Sequence, residues 1–432
     1  MFAFSPQPCT SLRLCGVLLA LLSLATPFQA TAQNIFIGSG EVLETTNDAT
    51  FESISNIGEL INTAAIKALD STQNQGRIEN AGTFENLGSF DNFLGTVENA
   101  GRFQNLGYFD NFFAGEVENT GTFENLGSFK NHFAGIIDNS GTFYNSGDID
   151  NSFGTIENNG TFDNSGDISN SHGSIKNSGT LEQAGRIQGD QGRIENAGTF
   201  TLRGDIRGDQ IEILNSGIFH LNGFIEGEQT SFTQTEGTVV IGGLFRGEDF
   251  SVTGGTARSE GGSLQGTDFN GSSFSFSDTT LSLGNGDREL SVATGRLGSL
   301  LIAGDSLVDI VLEPDAGGVA LSADRVSIQS DVMFEISFID GAVIEDGDVF
   351  DLIAADEFTG SFDVTDQSRF TFPDTFGFEW DVAVASGADQ FGRDILRATA
   401  SAVAPIPLPA GAWLLGAGLL GLAGLKRRRK PA

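Results

Sequence analysis

The sequence predicts an all-β chain wound as a parallel β-helix (a β-solenoid), and three observations carry that expectation. A six-residue phrase, apolar-x-Asn-x-Gly-x, recurs between Ile78 and Gly227, first as Ile78-Glu-Asn80-Ala-Gly82 and then as Phe84-Glu-Asn86-Leu-Gly88. Three phrases make a longer unit that returns every 19 or 20 residues, marked by Gly82, Gly101, Gly121, Gly141, Gly160, Gly179, Gly198 and Gly217. Repeats of this length are single structural units that bury their apolar side only by stacking on their neighbours. Gly is abundant (58 residues) and Pro scarce (9), a balance that suits short strands and tight corners better than helices.

Taken in order, residues 1–32 have the pattern of a secretory signal peptide. Arg13 gives the positive end, Val17 to Leu24 the apolar stretch, and Ala30-Thr31-Ala32 the small-residue cleavage site before Gln33. The apolar stretch is short for a membrane span. Residues 33–76 are expected to form an N-terminal cap and a first irregular turn. Within them Ile54-Ser-Asn56-Ile-Gly58 already follows the phrase, so the coil is expected to begin near residue 50, interrupted around Thr63 to Gln75, with Ala64 to Leu69 as a short helical turn.

Residues 77–266 hold about ten turns. Alternation along a strand puts the apolar residue and the Asn on the same, inward side. The Asn then falls at the strand's end, placed to bond corner backbone and its counterpart one turn away. The Gly two residues later fits a tight corner or a close backbone approach. Stacking yields an Asn ladder of Asn80, Asn99, Asn119, Asn139, Asn158, Asn177, Asn196 and Asn215. It also yields an aromatic ladder of Phe84, Phe103, Phe123, Phe143, Phe162, Leu181, Phe200 and Phe219. Two β-branched or aromatic ladders accompany them, one starting at Ile78 and Val97, the other at Phe90 and Phe109. The other two corners drift, toward Leu202 and Leu221 at one and Gly189, Gly208 and Gly227 at the other. Residues 267–400 stay β-rich, with further irregular rungs favoured over a separate β-sandwich cap, since nothing linker-like marks a boundary.

In residues 401–432, Pro405-Ile-Pro407-Leu408-Pro409-Ala410 leads into an apolar run from Ala412 to Leu425, expected to be a short tail helix, and then into Lys426-Arg-Arg-Arg-Lys430. Motif, apolar segment and basic end in this order resemble the PEP-CTERM class of bacterial sorting tails, in the variant reading Val-Pro-Leu-Pro-Ala. Pro407, Leu408, Pro409 and Ala410 match, and Ile406 stands in place of the usual Val. The resemblance implies recognition and cleavage by an exosortase-type transpeptidase after transient anchoring in the inner membrane, in a Gram-negative cell that makes exopolysaccharide. The repeats are similar, in period and phrasing, to the parallel β-helices of secreted adhesins and autotransporter passengers. Nothing after residue 400 in this sequence has the strands of a closed membrane barrel.

The formal charge is −34. It becomes about −40 if Arg13 and the five basic tail residues are processed away. Such a field repels nucleic acid and excludes it as a partner. Cys9 and Cys15 both lie in the targeting segment, so a processed chain has no thiol chemistry. The outward acids Glu79, Glu85, Asp91, Glu98, Asp110, Glu118 and Glu124 recur with the repeat, whereas a catalytic site breaks periodicity. Arg203 to Asp209 is such a break and is expected to form surface ion pairs. His132 and His172 are expected to be solvated corner residues. Gly261 to Asp268 only distantly echoes a calcium-binding β-roll, and Asp346-Gly-Asp348 lacks the other ligands of an EF-hand. The sequence therefore names no catalytic residue, cofactor or metal site, and leaves adventitious calcium at the acidic surface open. The expected role is an exported, surface-sorted, non-enzymatic matrix or adhesin-like protein that contacts exopolysaccharide or copies of itself. Its rival is a polysaccharide lyase or hydrolase on the same fold.

Overall fold

The computed structural model describes residues 33–267, 272–294, 298–373, 377–388, 391–403 and 420. The signal peptide with Ala30 and Ala32, the sorting motif Pro407 to Ala410 and the expected tail helix, apart from the helical residue Leu420, lie outside the described residues.

Three parallel sheets run the length of a coil, each strand pairing with the strand one turn on. In the first sheet Arg77–Asn80 pairs with Thr96–Asn99, placing Ile78 against Val97. In the second, Thr83–Asn86 pairs with Arg102–Asn105, and in the third Ser89–Phe93 pairs with Tyr108–Phe112. Like stacks on like because every turn repeats the same phrase: Phe84 opposes Phe103 and Asn86 opposes Asn105. Burial alternates along each four-residue strand, with the apolar residue and the Asn inside.

The apolar positions fill the coil. Phe84 and Phe103 stack with centroids 4.9 Å apart and planes 4° from parallel, and Phe90 and Phe109 stack at 4.4 Å. The two columns meet edge-to-face, Phe84 to Phe90 at 5.7 Å and 72°. Each such pair adds about 0.5–1.5 kcal/mol beyond the area it buries.

Asn columns close the corners. Asn80 donates to Asn99 Oδ1 at 2.7 Å and to the Arg102 carbonyl at 3.0 Å, so its amide ties one turn to the next twice. The column at the second corner starts at Asn86 and ends at Gln183. Its ends show what the stacking supplies: Asn86 Oδ1 and Gln183 Nε2 are buried without a partner. The rung before Asn86 offers Ala68 and the rung after Gln183 offers Leu202, neither of which carries a polar side chain. Past that point Leu202, Leu221 and Ile241 make the corner apolar. At Gly127 the requirement is space, since a Cβ there would sit 1.9 Å from the Gly107 carbonyl oxygen. The third corner takes the extra residues of each turn and bends through a left-handed residue, including Leu94, Phe113, Phe133 and Phe153 at φ 58°, 51°, 50° and 59°.

Two expectations change along the N-terminal stretch. The coil begins at Gln33: Gln33–Ile37 already pairs in parallel with Ala49–Asn56, and Val42–Thr45 with Glu59–Asn62. Ala64 to Leu69 form no helical turn. Ala65–Asn74 is one strand that bends across a corner, pairing first with Thr83–Asn86 and then with Ser89–Phe93. These two neighbouring strands satisfy its backbone, which outweighs the helix propensity of an Ala- and Leu-rich segment.

Beyond residue 266 parallel rungs continue with longer strands, through Leu307–Leu312 and Met333–Phe338, so the coil exceeds ten turns. It closes differently: Val349–Gly360, Asp394–Ala402 and Phe378–Ala385 pair antiparallel, and Trp380 stacks on Phe372 at 4.5 Å. Among the described residues the helical elements are the short 3-10 turns Gly286–Arg288 and Gln367–Arg369 and the single residue Leu420, and no helix is long and apolar enough to cross a membrane.

Candidate functional site

Every residue of the Asn80 and Phe84 ladders is placed inside the coil, from Asn80 to Asn215 and from Phe84 to Phe219, each at most 2% exposed. Those side chains hold shape and face no ligand. Gln33 opens the first strand. What remains for recognition is the set of outward positions, which parallel register sorts into columns.

On the first sheet Glu79, Glu98, Glu118, Asp138 and Glu157 stand in one column. Cations brace its two ends. Arg77 reaches Glu59 at 2.6 Å and Glu98 at 2.5 Å and also contacts Glu79, while Lys176 reaches Glu157 at 2.8 Å. Between them burial, with the carboxylates of Glu116, Glu98 and Asp138 added, raises the Glu118 pKa above the usual carboxylate value.

On the third sheet the column reads Asp91, Asp110, Lys130, Asp150. Burial first and Asp110 second push the Asp91 pKa up. His132 is not loosely solvated as expected: its Nε2 lies 2.7 Å from Asp110 Oδ1 and its ring packs 4.7 Å from Phe133. Lys130 Nζ sits 5.4 Å from the Tyr108 ring centre. His172 stacks on Phe153 at 4.7 Å, which also ties it to the protein surface.

The Arg203 to Asp209 stretch does form ion pairs, Arg203 with Glu182 at 2.6 Å and Arg207 with Asp205 at 3.0 Å. It makes no convergent site. Among the described residues no group of three or more His, Cys, Asp or Glu is arranged to hold a metal ion.

Two shallow hollows lie along one corner, beside the first sheet. The small residue after each Asn makes them: Ala81, Ala100 and Thr120 floor one of about 150 Å³, and Ser178, Ala197 and Ser216 floor another of about 400 Å³. The larger gathers Glu157, Lys176, Arg193 and Glu195. Its cations are engaged, Lys176 with Glu157 at 2.8 Å and Arg193 with Glu195 at 2.5 Å and with Glu212. Those hydrogen bonds raise the Lys176 and Arg193 pKa values above their ordinary ones. Chemically the hollow offers carboxylates, a guanidinium and an ammonium to a hydroxyl-rich ligand. Its signal in the sequence was the arrival of Lys176 and Arg193 at positions that carry Glu157 and Ser174 one turn earlier, a change that leaves the period intact.

Fold and surface together define the class: an all-β, parallel β-solenoid repeat protein with an acidic, columnar exterior. No protein-family profile matches the chain, and no curated protein matches it.

Proposed function

We propose that this chain is an exported, surface-sorted structural protein of adhesin type, non-enzymatic, in the bacterial envelope or its extracellular matrix. Its tail, with Pro407, Leu408, Pro409 and Ala410, serves as the address read by an exosortase-type enzyme after transient anchoring in the inner membrane. The observation that carries this reading is the pairing of two features. The repeat commits its Asn and Phe residues to stacking, and its first sheet presents a column of carboxylates turn after turn. The sequence joins that rod to a tail with the order of a sorting signal. Polysaccharide, neighbouring cells and copies of itself are the partners such a rod meets.

A second reading has one observation in its favour. The 400 Å³ hollow places Glu157 and Glu195 beside Lys176 and Arg193, the residue types a polysaccharide lyase or hydrolase uses. Incubating the purified chain with exopolysaccharide from its host separates the two. The structural reading expects unchanged polymer length. Depolymerisation that Glu195→Gln abolishes would replace it with the enzyme.

A further inference from the structure

Two exposed apolar ridges flank the third sheet over the same stretch of coil. At the second corner stand Leu69, Leu87, Leu106 and Leu126, between 38% and 51% exposed. At the third stand Leu94, Phe113, Phe133 and Phe153, between 52% and 59% exposed. Corner geometry does not call for them. The Leu positions become Ser146, Ser165 and Ala184 in later turns. The same left-handed bend that holds Phe133 is held further on by Gln191, Gln210 and Gln229, at φ 56°, 59° and 53°. Those glutamines bond one another in a polar ladder, Gln191 to Gln210 at 2.9 Å and Gln210 to Gln229 at 2.7 Å. An apolar surface limited to one block of turns, at both edges of one sheet, is a mark of an interaction face.

Between the ridges runs the column Asp91, Asp110, Lys130, Asp150, whose two central residues carry opposite charge, so that they and the two ridges can be met by their own copies. We propose that this face binds the same face of a second copy of the chain, antiparallel, about a two-fold axis that crosses the rod between the turns of Asp110 and Lys130. That axis sets Asp110 against the partner's Lys130 twice over. It lays Phe113 on the partner's Phe133 and Leu106 on the partner's Leu126. A two-fold axis along the rod instead puts Asp110 on Asp110 and Lys130 on Lys130, and opposes the Leu ridge to the Phe ridge. The antiparallel arrangement also sets Asp91 against the partner's Asp150 at its two outer turns, so it pairs opposite charges at the centre and like ridges along the edges, with repulsion left at the rim.

The face measures about 20 Å along each edge, from strands ~4.8 Å apart and residues ~3.3 Å apart. That is about 400 Å² in projection. Side-chain relief brings it near the lower end of specific interfaces, about 600–800 Å² per partner. The dimer is accordingly weak, with a dissociation constant on the order of micromolar. The proposal names one of the partners that the structural reading allows. It rests on that reading for its biological setting alone, since solution association is independent of sorting.

Sedimentation of the purified protein across a concentration series tests it. The wild-type chain should show a reversible monomer–dimer equilibrium. Phe133→Glu should weaken it at least tenfold, with an unchanged circular dichroism spectrum and thermal midpoint showing that the coil is intact. Asp110→Lys and Lys130→Asp should each weaken it alone. Mixed in equal amounts, these two variants should associate as heterodimers, because one then offers two lysines and the other two aspartates. A wild-type chain that stays monomeric at about 100 µM overturns the proposal, and so does a mixture that stays monomeric. A Phe133→Glu variant that dimerises normally also overturns it. Loss of polysaccharide retention in that variant, with the wild type monomeric, assigns the face to a glycan instead.

Discussion

Asn119 passes its side-chain amide to Asn139 Oδ1 at 2.7 Å and to the Thr142 carbonyl at 2.9 Å, while its own Oδ1 receives the amide of Asn99 at 2.7 Å. One side chain thus binds three successive turns. Replacing Asn119 with Ala leaves the Asn139 oxygen and the Thr142 carbonyl without that donor, inside a corner sealed from water. The expected cost is about 2–3 kcal/mol, measured as a lowered midpoint in urea or thermal unfolding. A cost within experimental error means that the column is decorative.

Close packing at the second corner gives a contrast between two glycines. Gly127→Ala places a methyl group 1.9 Å from the Gly107 carbonyl oxygen, so adjacent turns must separate. Gly317 has φ +62° and open space around it, so Gly317→Ala meets only the strain of a left-handed alanine, about 1 kcal/mol. The thermal midpoint should fall several times further for Gly127→Ala. Equal effects would show that the turns are less tightly stacked than described.

Much of this was readable from the residues, because the repeat writes its backbone requirements directly. A side chain that must stack on its own copy has to recur, and Asn80, Phe84 and Ile78 do so. The parts that stayed hidden lack that constraint. Gln33–Ile37 pairs with Ala49–Asn56 without carrying the Asn-x-Gly phrase, and Ala65–Asn74 is a strand whose local composition favours helix. The antiparallel closure by Asp394–Ala402 depends on contacts distant in sequence. Outward features were missed for a different reason. A catalytic site shows as a break in period, whereas the Lys176–Arg193 hollow and the Leu and Phe ridges are slow drifts of a column that keeps its period.

Acid should stabilise the rod. Glu118 and Asp91 have folded-state pKa values raised above their ordinary ones, chiefly by burial. The folded chain therefore binds protons at a pH where the unfolded chain has released them. Stabilisation from these two groups is complete below the ordinary carboxylate range and is lost as pH rises through the raised values. The thermal midpoint should accordingly increase from pH 7 toward about pH 5, and Glu118→Gln should flatten that dependence. A midpoint that falls throughout this interval would contradict it.

Salt should act in the same direction. Carboxylates one turn apart in the column from Glu79 to Glu157 repel across about 5 Å. The ion pairs at its ends are partly exposed and worth about 0–1 kcal/mol each. Raising ionic strength from about 0.01 to about 0.5 M screens both, and the more numerous repulsions dominate in a chain of charge −34. The thermal midpoint should rise with added sodium chloride. A steady fall would mean that the attractive pairs outweigh the column.

The functional proposal stands on a rod being delivered and trimmed. The most direct measurement is mass spectrometry of the protein released from its own cells. The sorting account predicts an N-terminus at Gln33 and no peptide from Trp413 onward, the tail having been cut near Pro407 to Ala410. Released protein that still carries Lys426 to Lys430 would contradict it.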